Sequence, residues 1–238
     1  SNTSKGYVYT LTGKIQKSIQ NMNVGFSYAY SKAKNTAEYG STASSLWSAL
    51  AVSNQDPNAP NLGLASYYQP HRFIGNISYK IKNCKYASTT IGAIYEVTTY
   101  GTTSYVYNGD LNGDGNSGND LIYIPKSISD INLVKVGSGG NGTTTTGVTD
   151  VRTAAQIWSQ IDALLSNSTY LNTHRGQYAQ RNAALYPFFS KLDMNVTQDV
   201  SMKVGKDRHA VKFSLDLINV GNLLNRDWGL VKIPTTPI

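Results

Sequence analysis

Tyr7-Val-Tyr9-Thr-Leu11-Thr-Gly-Lys14-Ile15-Gln-Lys-Ser-Ile19, then Gln20-Asn21, then Met22-Asn-Val24-Gly-Phe26-Ser-Tyr28-Ala-Tyr30 is the stretch on which the fold turns. Tyr7, Tyr9, Leu11, Ile15 and Ile19 fall on one face of an extended chain, and Thr10, Thr12, Lys14, Gln16 and Ser18 on the other. Met22, Val24, Phe26, Tyr28 and Tyr30 repeat the alternation against Asn23, Gly25, Ser27, Ala29 and Ser31. A period of two is the period of a strand with one apolar face. Two such runs on either side of Gln20-Asn21 make a hairpin.

The pattern returns four times. Phe73, Ile77, Tyr79 and Ile81 alternate with Ile74, Asn76, Ser78 and Lys80, and Ile91, Ala93, Tyr95 and Val97 mark one face of Ala87 to Tyr100. Lys82-Asn83-Cys84-Lys85 is expected to close that hairpin. Leu192, Met194, Val196, Val200, Met202 and Val204 alternate with Asp193, Asn195, Thr197, Asp199, Ser201 and Lys203. Gly205-Lys206-Asp207-Arg208 then leads into Val211, Phe213, Leu215 and Leu217. The expectation is an all-β chain of six antiparallel strands, or eight if Thr102–Tyr107 and Leu121–Ile124 form a further hairpin.

A soluble β-sandwich also buries one face of each strand. The connections discriminate. Within hairpins the turns are short, but between hairpins the chain runs from Lys32 to Pro70 and from Gly101 to Ser190. Structureless loops beyond roughly 12–15 residues are uncommon in compact soluble domains, whereas outer-membrane barrels pair short periplasmic turns with long extracellular loops and carry aromatic girdles. The chain's 17 tyrosines suit such girdles, with rings in lipid and hydroxyls among headgroups. Residues 1–238 are therefore expected to be one partial transmembrane β-barrel domain, with one or two short helices in its extracellular loops. Barrels close with about eight strands or more, so six to eight strands fit a segment of a larger one. Ser1 to Gly6 shows no export signal, and no stretch reaches the roughly twenty apolar residues of a spanning helix.

The formal charge of +7 comes from lysines and arginines scattered singly through strands and turns. Without a basic run interleaved with aromatics, nucleic acid is not an expected partner. Cys84, the single cysteine, reads as a tolerated turn residue, and His71, His174 and His209 as solvated residues near strand ends. No nucleophile elbow, zinc spacing or phosphate loop appears, so the chain is not expected to be an enzyme.

Asp110, Asn112 and Asp114, followed by Gly115, open like a calcium loop, with oxygen ligands at alternate positions and glycine at the sixth. The twelfth position holds Leu121 instead of a bidentate Glu. Asp110, Asn112, Asp114 and Asp120 could still hold calcium, or the segment could be an Asx-rich turn. From Val151 to Ser166 the apolar spacing becomes helical, with Thr149 or Asp150 placed to cap it; a weaker helical run follows near Thr169 to Asn182. Gly137 to Thr146 has the composition of a loop tip. Trp47, Tyr67, Tyr68 and Trp158 are candidates to stack on a ligand, and Arg175 and Arg181 to neutralise an anionic one. Self-packing of the loops explains the same residues.

Four motifs, Asp110 to Pro125, Arg175 to Asn182, Leu192-Asp193 with Gln198-Asp199, and Asp216-Leu-Ile-Asn219-Val-Gly-Asn222-Leu-Leu-Asn225 with Trp228-Gly229, stand in an order and spacing that resemble the C-terminal barrel region of TonB-dependent outer-membrane receptors. The resemblance is to their Oar-like branch, related to the SusC-like nutrient transporters. It implies a plugged barrel of about 22 strands in the bacterial outer membrane. Ligand would be caught by extracellular loops and imported with energy from an inner-membrane TonB complex that acts on the plug. Implied partners are outer-membrane lipid, a small-molecule, glycan or peptide ligand, and a surface lipoprotein. Neither a plug nor a final strand ending in an aromatic residue is recognisable, so the expectation is an internal or truncated part of the barrel. Two rivals stay open: an autonomous small barrel of porin or adhesin type, and a secreted calcium-dependent β-sandwich binding module.

Overall fold

A computed structural model describes residues 4–37, 42–48, 50–52, 62–133 and 152–232, apart from the side chains of Leu46, Trp47 and Arg208. The run from Gly137 to Thr146, the expected loop tip, lies outside these residues. The chain divides into two compact units, one of Ser1–Asn35, Leu64–Thr102 and Leu185–Thr236, the other of Thr36–Gly63, Thr103–Ala184 and Pro237–Ile238.

The first unit is an antiparallel sheet of six long strands: β1 (Tyr7–Ile19), β2 (Met22–Asn35), β3 (His71–Cys84), β4 (Ala87–Thr99), β5 (Phe188–Val204) and β6 (Asp207–Leu217). They lie side by side in chain order, with β1 and β6 at opposite edges. Strand extension is longer than the alternation alone indicates. β2 continues past Tyr30 to Asn35, and the turns shrink to Gln20-Asn21, Lys85-Tyr86 and Gly205-Lys206. The expected turn at Lys82–Lys85 is instead mostly strand, carried through by a register irregularity between Lys82 and Cys84. Asp207 and Arg208 likewise belong to β6, because Gly205 at φ 64° reverses the chain within two residues.

Register decides what this sheet presents. Ile15 stands opposite Phe26, Val24 opposite Ile77, Tyr79 opposite Ile91, Ile91 opposite Val196 and Val196 opposite Leu215. Directly opposed residues share a face. The apolar sets of all six strands therefore merge into one surface, and the polar sets into the other.

After β6 the chain closes on itself. Asn219, at φ 55°, donates its N–H to the Asp193 carboxylate of β5 at 2.7 Å. A 3₁₀ turn, Val220–Leu223, follows. Gly221 is buried where a Cβ would come 3.1 Å from the Trp228 ring and 3.6 Å from Leu192. At Gly229, φ 73°, a Cβ would run into the Asn219 amide. The Asn219–Gly229 motif is thus a folded knot pinned to β5, and its glycines are there for space and left-handed backbone.

The second unit contains helices α1 (Ala43–Ser48), α2 (Ala154–Asn167) and α3 (Thr169–Thr173). α2 starts later than its apolar spacing indicates. Thr153 caps it, not Thr149 or Asp150, because Gln156 lies three residues on and completes a reciprocal capping box. The weaker helical run stops at Thr173: Gly176 turns at φ 81°, and Gln177–Tyr178 pair with Tyr123–Ile124. The expected extra hairpin is only a narrow ladder, with the Tyr107 N–H on the Asp120 carbonyl and the Ile122 N–H on the Tyr105 carbonyl, so it adds no long strands. Leu121, Ile122, Ile124, Leu165, Leu171 and Ala179 form a buried core here, with Tyr105, Ile161 and Tyr170 packed against it.

Gly229→Ala is expected to force the Asn219 side chain and the Trp228 turn apart, costing about 1–3 kcal/mol. Gly113→Ala, also at positive φ but with open space around its Cβ position, is expected to cost less. Denaturant midpoints of the two variants, measured side by side, check the ordering.

Candidate functional site

The apolar sheet face is uncovered. Leu11 and Ile15 on β1 are 73% and 74% exposed, and Phe213 on β6 is 64%; Phe26, Ile77, Tyr79, Tyr95 and Leu215 are exposed as well. Large contiguous apolar patches of this kind mark membrane or partner contact. Along its long-loop edge runs a chain of rings. Tyr7 stacks on Tyr9 at 6.2 Å, Tyr9 meets Tyr30, Tyr30 meets His71 at 5.6 Å, and His71 meets Phe188. Tyr28 joins this chain through a 2.8 Å hydroxyl contact with the His71 Nδ1 and brings in Phe73, whose ring lies 4.8 Å from its own. His71 is therefore part of an aromatic belt rather than a lone solvated histidine.

Polar groups on this face are few. Lys32 and Lys34 lie beyond Tyr30, and Lys17 lies one step inside the turn edge. Thr89 and Gln198 bond each other at 2.6 Å, and the Gln198 amide donates to the Ser88 and Asp199 carbonyls. The Gln198 amide thus finds both its acceptor and its donor partners within the protein, which lowers the cost of placing it on an apolar face.

The opposite face carries the charge. Arg72 and Glu96 pair at 2.6 Å, Lys191 and Asp193 at 2.7 Å, and Asn195 donates to Ser214 and to Asp216. A trough of about 720 Å³ follows this face, between Ile74, Asn76, Gly92, Ile94, Asn195 and Asp216.

In the second unit Asp110 accepts N–H bonds from Gly113, Asp114 and Gly115, Asn112 from Asp114, and Asp114 from Asn116. The buried Asp120 accepts from Leu111 at 2.7 Å. Here the side-chain oxygens of the four candidate calcium ligands face N–H donors, and the side-chain amides of Asn112 and Asn119 add two more on Asp114. Among the described residues no cluster of three or more His, Cys, Asp or Glu side chains forms. The loop stands as interlocked Asx turns.

The ligand candidates scatter. Tyr67 is exposed, while Tyr68 is buried with Ala33 and Ala65 in a small core of the first unit. The side chain of Trp47 lies outside the described residues, and Trp158 is half-buried on α2. Arg175 ties the turn after α3 to α2, reaching Asp162 at 2.6 Å, Ser166 at 2.9 Å and Asn172 at 3.1 Å. Arg181 is 5% exposed and packs against Gly63, where a Cβ would stand 3.0 Å away. Both arginines hold the loop unit together. A pair that sequence reasoning passed over is Tyr100 with Tyr186, rings 6.2 Å apart, with Tyr100 exposed. Its signal was position: each tyrosine lies next to a long strand, one just past Thr99 and the other just before Phe188.

Searches of family models, curated proteins and solved structures find no match to this chain.

The Asn116 backbone N–H, helped by the Asn119 and Asn112 amides, holds the Asp114 carboxyl below its usual range. A carboxylate lowered on folding stabilises the folded loop above its unfolded pKa of about 4 and loses that effect as pH falls through the folded value. Protection of the Asn116 amide, which bonds the Asp114 carboxylate, is therefore expected to persist at neutral pH and to fade only below about pH 4, once the known pH dependence of intrinsic exchange is divided out. Exchange mapped by mass spectrometry across that range checks it.

Proposed function

We propose that this chain is part of the wall of an outer-membrane β-barrel, with its apolar face against lipid and its polar face toward the interior. The carrying observation is the register, which fuses six apolar strand faces into one exposed surface bordered by the Tyr7-to-Phe188 ring chain. A water-soluble sheet would bury that surface; a lipid-facing one has no reason to. The open edges of β1 and β6 are where further strands would add. An unpaired edge cannot face lipid, which weighs against a six-stranded barrel complete in itself. The exposure of the apolar face weighs against a calcium-dependent sandwich, whose core would lie there.

Within that class the motif resemblance favours a TonB-dependent importer. The Asn219–Gly229 knot is in keeping with it, since a motif that carries the resemblance also has a defined structural job on β5. On this proposal the long loops meet the ligand, with Tyr67 and the Tyr100–Tyr186 pair as presented aromatics. Calcium at Asp110–Asp120 would then be a loop-stabilising ion, in competition with the N–H donors already there. The energy-coupling complex would act through a plug, and a lipoprotein would meet the loop side.

Ile15→Lys or Phe213→Lys is expected to cost about 2–4 kcal/mol when the chain is folded into lipid, and Thr12→Lys or Ser214→Lys far less. Spin labels at the same four positions read the orientation directly. Positions 15 and 213 should be open to oxygen and closed to a water-soluble nickel relaxant, and positions 12 and 214 the reverse. Equal accessibility on both faces removes the membrane proposal.

A further inference from the structure

The turn edge of the polar face is unlike the rest of that face. Lys80 and Lys82 on β3, Lys85 in the next turn, and Lys203 and Lys206 at the β5–β6 turn line two adjoining grooves of about 500 Å³ and 390 Å³, which share Lys85, Tyr86 and Ser201. All five lysines are exposed, and none pairs with a carboxylate among the described residues. The one carboxylate in the lining, Asp199, lies 3.8 Å from Lys212. Farther along the same face Arg72 and Lys191 each have an acidic partner, so the excess is local.

We propose that this groove docks an extended acidic polypeptide segment. Lys80 and Lys82 stand two residues apart on one strand, about 6.6 Å, which is the repeat at which alternate carboxylates of an extended chain present themselves. Ser88 and Ser201 line the same groove with hydroxyls. The inference rests on the proposed membrane orientation in one respect. It takes the polar face as the one turned away from lipid, which favours a peptide over phospholipid headgroups. Ammonium groups on mobile stems recognise charge more than shape, so the specificity is for acidity and extension.

Cys84 lines the groove, is exposed and is the chain's single cysteine, so it reports occupancy without an added label site. The experiment compares the rate of Cys84 alkylation by a maleimide-capped oligoglutamate with that by a maleimide-capped oligoserine, on the full chain in zwitterionic detergent. Docking is expected to speed the oligoglutamate reaction about tenfold through effective concentration. High salt and the combined variant Lys80→Gln/Lys82→Gln/Lys203→Gln/Lys206→Gln should each bring the ratio close to one, whereas Lys32→Gln/Lys34→Gln should preserve it. A ratio near one in the unmodified chain, or an undiminished ratio in the four-lysine variant, overturns the proposal. Loss of the acceleration to phosphatidylglycerol vesicles, with no loss to neutral ones, overturns it in favour of a lipid headgroup site. Since the spin-label comparison reads the opposite faces independently, failure of the groove and failure of the membrane orientation are told apart.

Discussion

Everything in the sheet depends on register. A slip of one residue at any strand pair would carry that strand's apolar set to the charged face and break both surfaces at once. The turns enforce the register by being short. Gln20 at φ 51° and Gly205 at φ 64° supply the left-handed backbone that two-residue reversals need. Where the turn chemistry is weaker, at Lys85-Tyr86, the strand takes up an irregularity between Lys82 and Cys84 and recovers phase before Ile81 meets Thr89. Cross-strand pairs then lock the phase, as between Tyr28 and Phe73, whose rings lie 4.8 Å apart.

Each of the two units has its own internal source of order. The loop unit has an ordinary apolar core around Ile124 and Leu171, both almost fully buried, with a capped helix and an arginine clamp on Asp162. Among the described residues the sheet unit has the small buried cluster of Ala33, Ala65 and Tyr68, and otherwise owes its order to ladder hydrogen bonds, side-chain pairs and the knot after β6. The exposed leucines, isoleucines and aromatics of this sheet are costly in water, a cost that lipid would relieve on the proposed membrane orientation.

The strands were legible in the sequence because their signal is strictly local. β1 runs from Tyr7 to Ile19 as the alternation indicates, β4 ends at Thr99, one residue short of the expected Tyr100, and the other four extend outward from their alternating centres. Less legible were the features set by chemistry across the chain. Arg175 and Arg181 look like ligand groups in a linear reading, yet Asp162, Ser166 and Gly63, their actual surroundings, are distant in sequence. The lysine groove was hidden for the same reason. Lysines spaced singly through three segments look dispersed until strand pairing and two turns gather them. Thr153 could have been recognised as the α2 cap from Gln156 alone; the tyrosines of β1 and β2 pointed to a ring girdle, but the inclusion of His71 and Phe188 required the register.

One small contact orders events in time. Val52 donates its N–H to the Asn119 carbonyl and accepts the Leu121 N–H, both at 2.9 Å, stitching the insert after β2 to the insert after β4. Between the two halves of that stitch lies the whole β3–β4 hairpin, so the chain must be delivered past Leu121 before the first insert can settle. Closing a span of that length costs entropy that grows with the intervening chain. A pause in chain delivery anywhere between residues 52 and 121 would leave Val52 without its partners, whereas the sheet waits longer still, for Phe188–Leu217.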